Sequence, residues 1–579
     1  MKKKIFLTII IFFARSSLAY AINLSDFWVG EPASKFRKLE SVSGQKFMVV
    51  TADEYASKAG AEILQKGGNA IDAAITAQMV LNVVEPQSSG IGGGGFLLYF
   101  DAKTKKTLFF NGRETAPAKA YPSMFLKDGK AREFNDVVQG GLSVATPGAL
   151  KILYEAHQKY GKLPWHELFE PAIKIARDGF VVSERLHTLA NYISYLKNSD
   201  QAKKVYLKED GRAYEVGEII KNPQLAQTFS IIAKQGIEPF YHGKIANDIV
   251  DAVKNSKVNP GILQLEDLKN YRSKKGNLIC SSYRLKYKIC SMPLPSSGGI
   301  TLLQILGILE NFDLGELAPQ SPQAIHLIVE ATRLAYADRN QYLGDVAAVP
   351  IDKMLDKNYL KERSKLINQK QALAKITAGK FSKTDKKIIN NITNELPSTT
   401  HLSIVDNEGN AVSFTSSIEY FFGSALMVDG FLLNNQMTDF SFIPEINGKK
   451  VANRIEPNKQ PRSSMTPAFV FDQNDKLLMV VGSPGGPRII QYSLKVILDY
   501  LDWKIDIQKA ISMPNFVVLN DVIELEKNTP ITKLEKSLKA MNHQVKIIEI
   551  TSGIHAITVD DNIIKGGADP RRDGVAIAK

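Results

Sequence analysis

Pro397-Ser398-Thr399-Thr400-His401, running on into Leu402-Ser403-Ile404-Val405-Asp406, is the stretch from which this chain is read. Ahead of it lies a Lys/Asn/Thr-rich segment of low apolar content, from about residue 361 to 398. Behind it come a turn, Asp406-Asn407-Glu408-Gly409-Asn410, and a second alternating run, Ala411-Val412-Ser413-Phe414-Thr415. A strand that opens on a hydroxyl residue, just after a segment too polar to pack well, marks a peptide bond whose cleavage would expose Thr399. A threonine at a chain start is a complete nucleophile, because its own α-amine can take the hydroxyl proton. By pattern alone a Thr-Thr pair is an ordinary strand element, so the reading rests on what surrounds it.

Length and composition bound the answer. A chain of 579 residues is too long for one ordinary core, so two or three domains or one large layered body are expected. An apolar content of 44% fits a soluble globular protein. The net charge of +13 is carried by scattered lysines without a dense arginine patch, which argues against a nucleic-acid partner. At the N-terminus, Lys2, Lys3 and Lys4 precede an apolar run from Ile5 to Ala14, and Ala19-Tyr20-Ala21 supplies small residues for cleavage. Residues 1–21 read as a secretory signal peptide despite Arg15 near the end of the run. The run is too short for a resident membrane helix, and no later segment is long and apolar enough. The expected protein is secreted, periplasmic in the simplest version, and without a membrane anchor. Its two cysteines, Cys280 and Cys290, either pair across a short loop, as export permits, or remain free thiols.

The coarse element pattern alternates. Phe47 to Thr51 reads as a strand and Ala56 to Leu64 as a helix stopped by Gly67-Gly68. Asn69 then caps a helix from Ala70 to Val83. Glycines 90 and 92–95 permit positive φ and close backbone approach, but the run lacks the Lys and Ser/Thr of a phosphate loop. Strands over 96–99 and 106–111 deliver Arg113 and Glu114. Residues 148–270 are helical in pattern, 285–291 extended, and 300–309 and 322–342 helical, the last containing Ala335-Tyr336-Ala337-Asp338-Arg339. Beyond Thr399, strands are expected over 411–415, 468–471, 477–481, 517–526, 544–550 and 556–560, with helices over 488–501 and 507–512. Strands interleaved with helices indicate a layered α/β body.

From about residue 40 to 577 the chain resembles the γ-glutamyltranspeptidase family of N-terminal-nucleophile hydrolases. The marks occur in order: Gly67-Gly68-Asn69-Ala70-Ile71-Asp72-Ala73-Ala74, Gly90 to Phe96, Gly112-Arg113-Glu114-Thr115-Ala116-Pro117 and Val144-Ala145-Thr146-Pro147-Gly148. Thr399-Thr400-His401, Leu432-Leu433-Asn434-Asn435-Gln436-Met437 and Pro461 to Pro467 follow. Gly482-Ser483-Pro484-Gly485-Gly486 and Gly567-Ala568-Asp569-Pro570-Arg571-Arg572 close the set. The resemblance implies a precursor that cuts itself between Ser398 and Thr399, giving a large subunit of 22–398 and a small catalytic subunit of 399–579. These would associate as a heterodimer in a four-layer α-β-β-α sandwich. It also implies attack of Thr399 on a γ-glutamyl donor such as glutathione, with water, an amino acid or a dipeptide as acceptor. No metal or organic cofactor is implied.

Site residues carry over one by one. Gly485 and Gly486 match the oxyanion-binding backbone, and Ser417 the hydroxyl beside the nucleophile. Arg113, Ser463 and Ser464 match the group that binds the donor α-carboxylate. Asp439, with Gln436 and Glu419, matches the group that binds the α-ammonium. Residues 442–456 hold no tyrosine and the segment is short, which implies a short or absent lid and an open site. Gln460 and Arg462 flank Pro461 where many relatives carry Arg and Leu. Two other readings are a glutaryl (cephalosporin-type) acylase of the same family, against which the ammonium-binding set speaks, and a non-enzymatic secreted scaffold, against which the intact site speaks.

Overall fold

The computed structural model describes residues 31, 36–346, 348–381, 398–561 and 563–579. The expected signal peptide, and residues 382–397 ahead of the expected cut, lie outside the described residues.

The elements that build the body are, in chain order, β1 (Val42–Gly44), β2 (Met48–Thr51), α1 (Glu54–Gln65), α2 (Ala70–Val84), β3 (Gly94–Asp101), β4 (Lys106–Asn111), β5 (Lys274–Gly276), β6 (Ile279–Tyr283) and β7 (Tyr287–Ser291). They continue with α3 (Gly298–Leu309), α4 (Pro322–Tyr342), β8 (Thr400–Val405), β9 (Ala411–Ser417), β10 (Ala468–Asp472), β11 (Leu477–Gly482), α5 (Ile489–Leu501), α6 (Ile507–Ser512), β12 (His555–Asp560), β13 (Ile563–Ala568) and β14 (Val575–Ala578). Two seven-stranded sheets result, in the orders β14-β2-β8-β9-β3-β4-β5 and β1-β13-β12-β11-β10-β7-β6. Every neighbouring pair in both is antiparallel.

Period-two alternation places the layers. In the first sheet Met48, Val50, Phe96, Leu98 and Phe100 point one way and meet Phe469, Phe471, Val480 and Ile557 of the second sheet. The alternate residues, Val49, Leu97 and Tyr99, point outward with Leu402, Ile404, Val412 and Phe414, under α1, α2 and the helical region that follows them. Ala468, Val470, Met479 and Val481 face the other way, under α3, α4 and α5. Both faces of both sheets are therefore covered by apolar residues, and the architecture is the expected α-β-β-α sandwich. α2 starts as its sequence says: Asn69 Oδ1 accepts from the backbone N–H of Asp72 at 3.1 Å, and Asp72 accepts in return from the N–H of Asn69 at 3.1 Å.

Two local readings change, and one left open is decided. The single strand expected over 517–526 is a hairpin, Phe516–Leu519 against Val522–Glu526, turned by Asn520 (φ 48°) and Asp521 (φ 64°). Two successive left-handed residues of these types make a two-residue hairpin turn. β13 and β14 were not legible as strands, because Gly566, Gly567 and a short C-terminal run break the alternation. Cys280 and Cys290 are directly paired across β6 and β7 and form a disulfide.

Behind β8, the rings of His401 and His555 stack with centroids 6.5 Å apart. His401 Nδ1 lies 2.8 Å from Thr415 Oγ1, and its Nε2 lies 3.1 Å from Ser403 Oγ. Burial, with the neighbouring His555 second, holds His401 well below the ordinary imidazole range. Burial pushes His555 down to about 3. Both stay neutral in the fold, whereas the unfolded chain takes up two protons near pH 6.5. Their contribution to stability is complete above about pH 6.5 and declines as the pH falls toward 3. His555→Gln is expected to flatten the dependence of unfolding free energy on pH between 6 and 4 by about 1.4 kcal/mol per pH unit. Urea melts at several pH values check this; an unchanged slope rejects it.

Candidate active site

Thr399 precedes the first paired residue of β8, Thr400, which lies opposite Ser416 of β9. Its φ is +88°, a conformation strained for a β-branched residue by roughly 1–3 kcal/mol. Contacts on both sides hold it there. Ser398 Oγ donates to the carbonyl of Gln87 at 3.2 Å, and the Ser398 carbonyl accepts from the N–H of Gly485 at 3.1 Å. The Thr399 carbonyl accepts from Arg572 Nη1 at 3.2 Å. The Thr399 hydroxyl donates to Ser417 Oγ at 3.1 Å, and Ser417 Oγ also accepts from the N–H of Glu419 at 2.9 Å. The hydroxyl, the carbonyl before it and a donor to that carbonyl are thus gathered at one peptide bond.

Gly485 (φ +130°) and Gly486 (φ +57°) form the turn between β11 and α5. A side chain at Gly485 would be strained by its φ, and its Cβ would fall 2.6 Å from the Tyr492 ring. The turn leads into the N-terminus of α5, whose Ile489 lines the pocket beside Gly486. Unpaired N–H groups and the helix dipole make that end favourable for negative charge. The glycine run 92–95 has another role. None of its members has a positive φ, but a Cβ on Gly93 would fall 2.1 Å from the Ser417 carbonyl oxygen. Close approach, not left-handed backbone, explains the run.

A pocket with about 290 Å³ of empty space, partly open to solvent, contains Thr399, Ser417, Gly486, Arg113, Glu419, Gln436, Asp439, Ser463 and Ser464 in its wall. The sequence reading singled out every one of these. Gly485 sits behind the wall, with its N–H on Ser398. Met465 and Ile489 also line the pocket; as apolar members of ordinary runs they carried no signal. Arg572 belongs to the Gly567–Arg572 motif, and nothing local in the chain points to its bond with Thr399.

Arg113 is delivered by the end of β4, where Asn111 Oδ1 accepts from its N–H at 2.8 Å. Its carbonyl accepts from Tyr271 Oη at 2.8 Å and Gln460 Nε2 at 2.9 Å. The guanidinium is fully buried. It donates from Nε to the Pro461 carbonyl at 3.2 Å, and from Nη2 to the Arg462 carbonyl at 3.0 Å and to Asp439 Oδ2 at 2.5 Å. Gln436 Nε2 donates to the same Asp439 oxygen at 2.6 Å. Glu114 lies 3.6 Å from Arg113 on the far side. Burial pushes its carboxyl up to about 8, against the pull of Arg113, so at neutral pH Asp439 is the counter-charge that matters. The pocket therefore holds a cation and an anion in contact, a pair that a zwitterionic ligand can separate while keeping each charge matched.

Phe440 and Phe442 are buried, the latter against Phe125 with ring centroids 4.6 Å apart, and the chain turns back as a hairpin, Glu445–Ile446 with Lys449–Lys450. Asn453 then ties the pocket walls. Its Nδ2 donates to the Asp439 carbonyl at 2.7 Å, and its Oδ1 accepts from the Arg462 N–H at 2.8 Å. Among the described residues, none between Phe440 and Arg462 lines the pocket.

Comparison with known proteins matches the chain to a family. The family model described as Gamma-glutamyltranspeptidase matches residues 56–579. The "Glutathione hydrolase proenzyme" of Bacillus subtilis (strain 168) is 39% identical over 565 residues, covering 94% of both chains. Among solved structures, the cephalosporin acylase from Bacillus halodurans superposes with a TM-score of 0.80 at 26% identity, over 95% of this chain and 99% of that one. The Helicobacter pylori gamma-glutamyltranspeptidase superposes with a TM-score of 0.55 at 33% identity, over 60% of this chain and 97% of that one.

Proposed function

The chain belongs to the γ-glutamyltranspeptidase family and acts as a glutathione hydrolase and γ-glutamyltransferase, and from that premise we propose that Thr399, freed by self-cleavage, is its nucleophile. The observation that carries the proposal is the geometry at Ser398–Thr399, where a strained threonine, its hydroxyl on Ser417, follows a carbonyl already held by the Gly485 N–H. In the first reaction the Thr399 hydroxyl adds to the Ser398 carbonyl carbon. Its proton passes to the departing Thr399 nitrogen as the C–N bond breaks, leaving an ester. Water then hydrolyses the ester to a Ser398 carboxylate and restores the Thr399 hydroxyl, beside the amine freed when the C–N bond broke. Release of the positive φ favours the forward direction. An α-amine has a pKa of roughly 7.7–8.0, so a usable fraction is a free base at neutral pH.

The second reaction reuses the same groups. The freed hydroxyl attacks the donor γ-carbonyl, and the N–H groups at Gly485 and Gly486, beside the N-terminus of α5, receive the developing oxyanion. The donor α-carboxylate goes to Arg113, Ser463 and Ser464, and its α-ammonium to Asp439 with Gln436 and Glu419. The γ-glutamyl ester on Thr399 then passes to water, an amino acid or a dipeptide. The pieces 22–398 and 399–579 stay together because β8, β9 and β14 alternate with β2 and β3 in one sheet, so separation would break several ladders. Export to the periplasm follows from the N-terminal pattern. Among the described residues no helix is long and apolar enough to cross a membrane.

The likeness to a cephalosporin acylase raises glutaryl donors as a second reading. A glutaryl group has no ammonium and would leave Asp439 buried against a methylene, which favours γ-glutamyl donors. The intact mass of the exported protein, with the N-terminal sequence of its smaller piece, tests the cut. Ser417→Ala tests the local assignment. It removes the acceptor of the Thr399 hydroxyl and is expected to slow both self-cleavage and turnover by about 10²-fold with little change in KM. Single-turnover cleavage and steady-state kinetics read this. Equal rates in variant and parent would remove Ser417 from the mechanism.

A further inference from the structure

The motif Ala335-Tyr336-Ala337-Asp338-Arg339 lies in the last turns of α4, on the outer helical layer, yet two of its side chains reach the pocket from behind. Tyr336 and Arg339 are three residues apart and share a helix face. Tyr336 Oη donates to the Pro487 carbonyl at 2.7 Å, in the turn that carries Gly486. Arg339 is buried, with its guanidinium 5.4 Å from the Tyr336 ring centroid. Arg339 Nη2 donates to Ser464 Oγ at 2.6 Å, and Nε donates to Ser297 Oγ at 2.9 Å. Ser297 in turn donates to the Ser463 carbonyl, from Oγ at 2.7 Å and from its N–H at 2.8 Å.

Donor chemistry gives these contacts a direction. A guanidinium has only donors, so Ser464 Oγ must accept from it, and the Ser464 hydrogen must be donated on another side. Ser464 lines the pocket. Ser297 accepts from Arg339 and sends its own hydrogen to Ser463, which sets the backbone of the pair. The Arg339 guanidinium thus stands one hydroxyl away from the pocket. We propose that Arg339 is a positioning residue for donor recognition: it orients Ser463 and Ser464, and polarises the Ser464 hydroxyl, toward the ligand carboxylate. The proposal rests on the reading above that this serine pair takes the donor α-carboxylate.

Two measurements on the processed enzyme test it. With a γ-glutamyl anilide donor, Arg339→Met is expected to raise KM by about 10- to 100-fold while kcat stays within about three-fold, and Arg339→Lys to restore part of the loss. With glutamate and 4-aminobutanoate as competitive inhibitors, which differ by the α-carboxylate, the Ki of glutamate should rise by a similar factor and that of 4-aminobutanoate should not move. A fall in kcat with KM unchanged, or an equal weakening of both inhibitors, overturns the proposal. Should Arg339→Met fail to self-cleave, Ser297→Ala leaves the guanidinium in place without one anchor; it is expected to shift the glutamate Ki alone by several-fold, and no selective shift overturns the proposal. If the parent enzyme itself binds glutamate no better than 4-aminobutanoate, the carboxylate assignment of the serine pair fails, independently of Arg339.

Discussion

Thr399→Ala yields a single uncut chain with kcat/KM reduced by at least about 10⁴-fold, the expected result for loss of the group that performs both acyl transfers. The alanine variant keeps the Gly485 hydrogen bond to the Ser398 carbonyl, so its fold and its oxyanion donors should survive. What it lacks is the hydroxyl that adds to the carbonyl carbon. Because the amine of residue 399 stays locked in a peptide bond, the uncut chain also lacks the base. Thr399→Ser should fall between: it keeps the oxygen, loses the methyl group and part of the strain at φ +88°, and cuts more slowly. Intact mass and N-terminal sequencing decide the matter. A small piece beginning at residue 399 in the alanine variant would falsify the mechanism, as would an active uncut parent.

Arg113→Met raises the KM for γ-glutamyl donors by about 10²- to 10³-fold, the second large effect expected. Removing one partner of a buried, hydrogen-bonded pair costs about 3–5 kcal/mol, much of it from the charge left behind. Here that charge is Asp439, 2.5 Å away in the parent. Part of the loss could therefore be a disturbed pocket and not lost binding, and a second variant separates the two. Arg113→Met with Asp439→Leu removes both charges; thermal stability should recover while donor affinity should not. Asp439→Asn alone should weaken γ-glutamyl donors more than glutaryl ones, since only the former bring an ammonium. Steady-state kinetics with the paired anilides read both effects. A γ-glutamyl to glutaryl ratio unmoved in Asp439→Asn would remove Asp439 from ammonium binding.

The pocket was legible to an unusual degree because its members sit in short, distinctive strings. Gly485-Gly486, Ser463-Ser464 and Gln436 with Asp439 are each marked by the family resemblance and not by residue type alone, and the structure brings them around Thr399. What escaped notice is informative. Ile489 and Met465 look like any apolar residue of a helix or a strand approach. Asn453 looks like a loop asparagine, although it bonds to both pocket walls. Arg572 and Arg339 act from 173 and 125 residues away, on Thr399 and Ser464 respectively, and no periodicity encodes a contact at that separation.

By itself the sequence determined a layered α/β body, from strands interleaved with helices, and its family resemblance implied the four-layer sandwich. It also determined the candidate nucleophile and the residue types of its pocket. It left Cys280 and Cys290 open, and it placed Arg113 and Asp439 in one site without showing that they touch. Only the tertiary structure decided those points. Antiparallel register sets the cysteines directly opposite each other on β6 and β7. Burial brings Arg113 and Asp439 together, because neither charge can be left unmatched away from water. The strained φ of Thr399 belongs to the same class: the Gly485 N–H holds the carbonyl before the residue and the Arg572 guanidinium holds the carbonyl after it. A conformation imposed by groups that distant in sequence exists only once the two sheets have closed over each other.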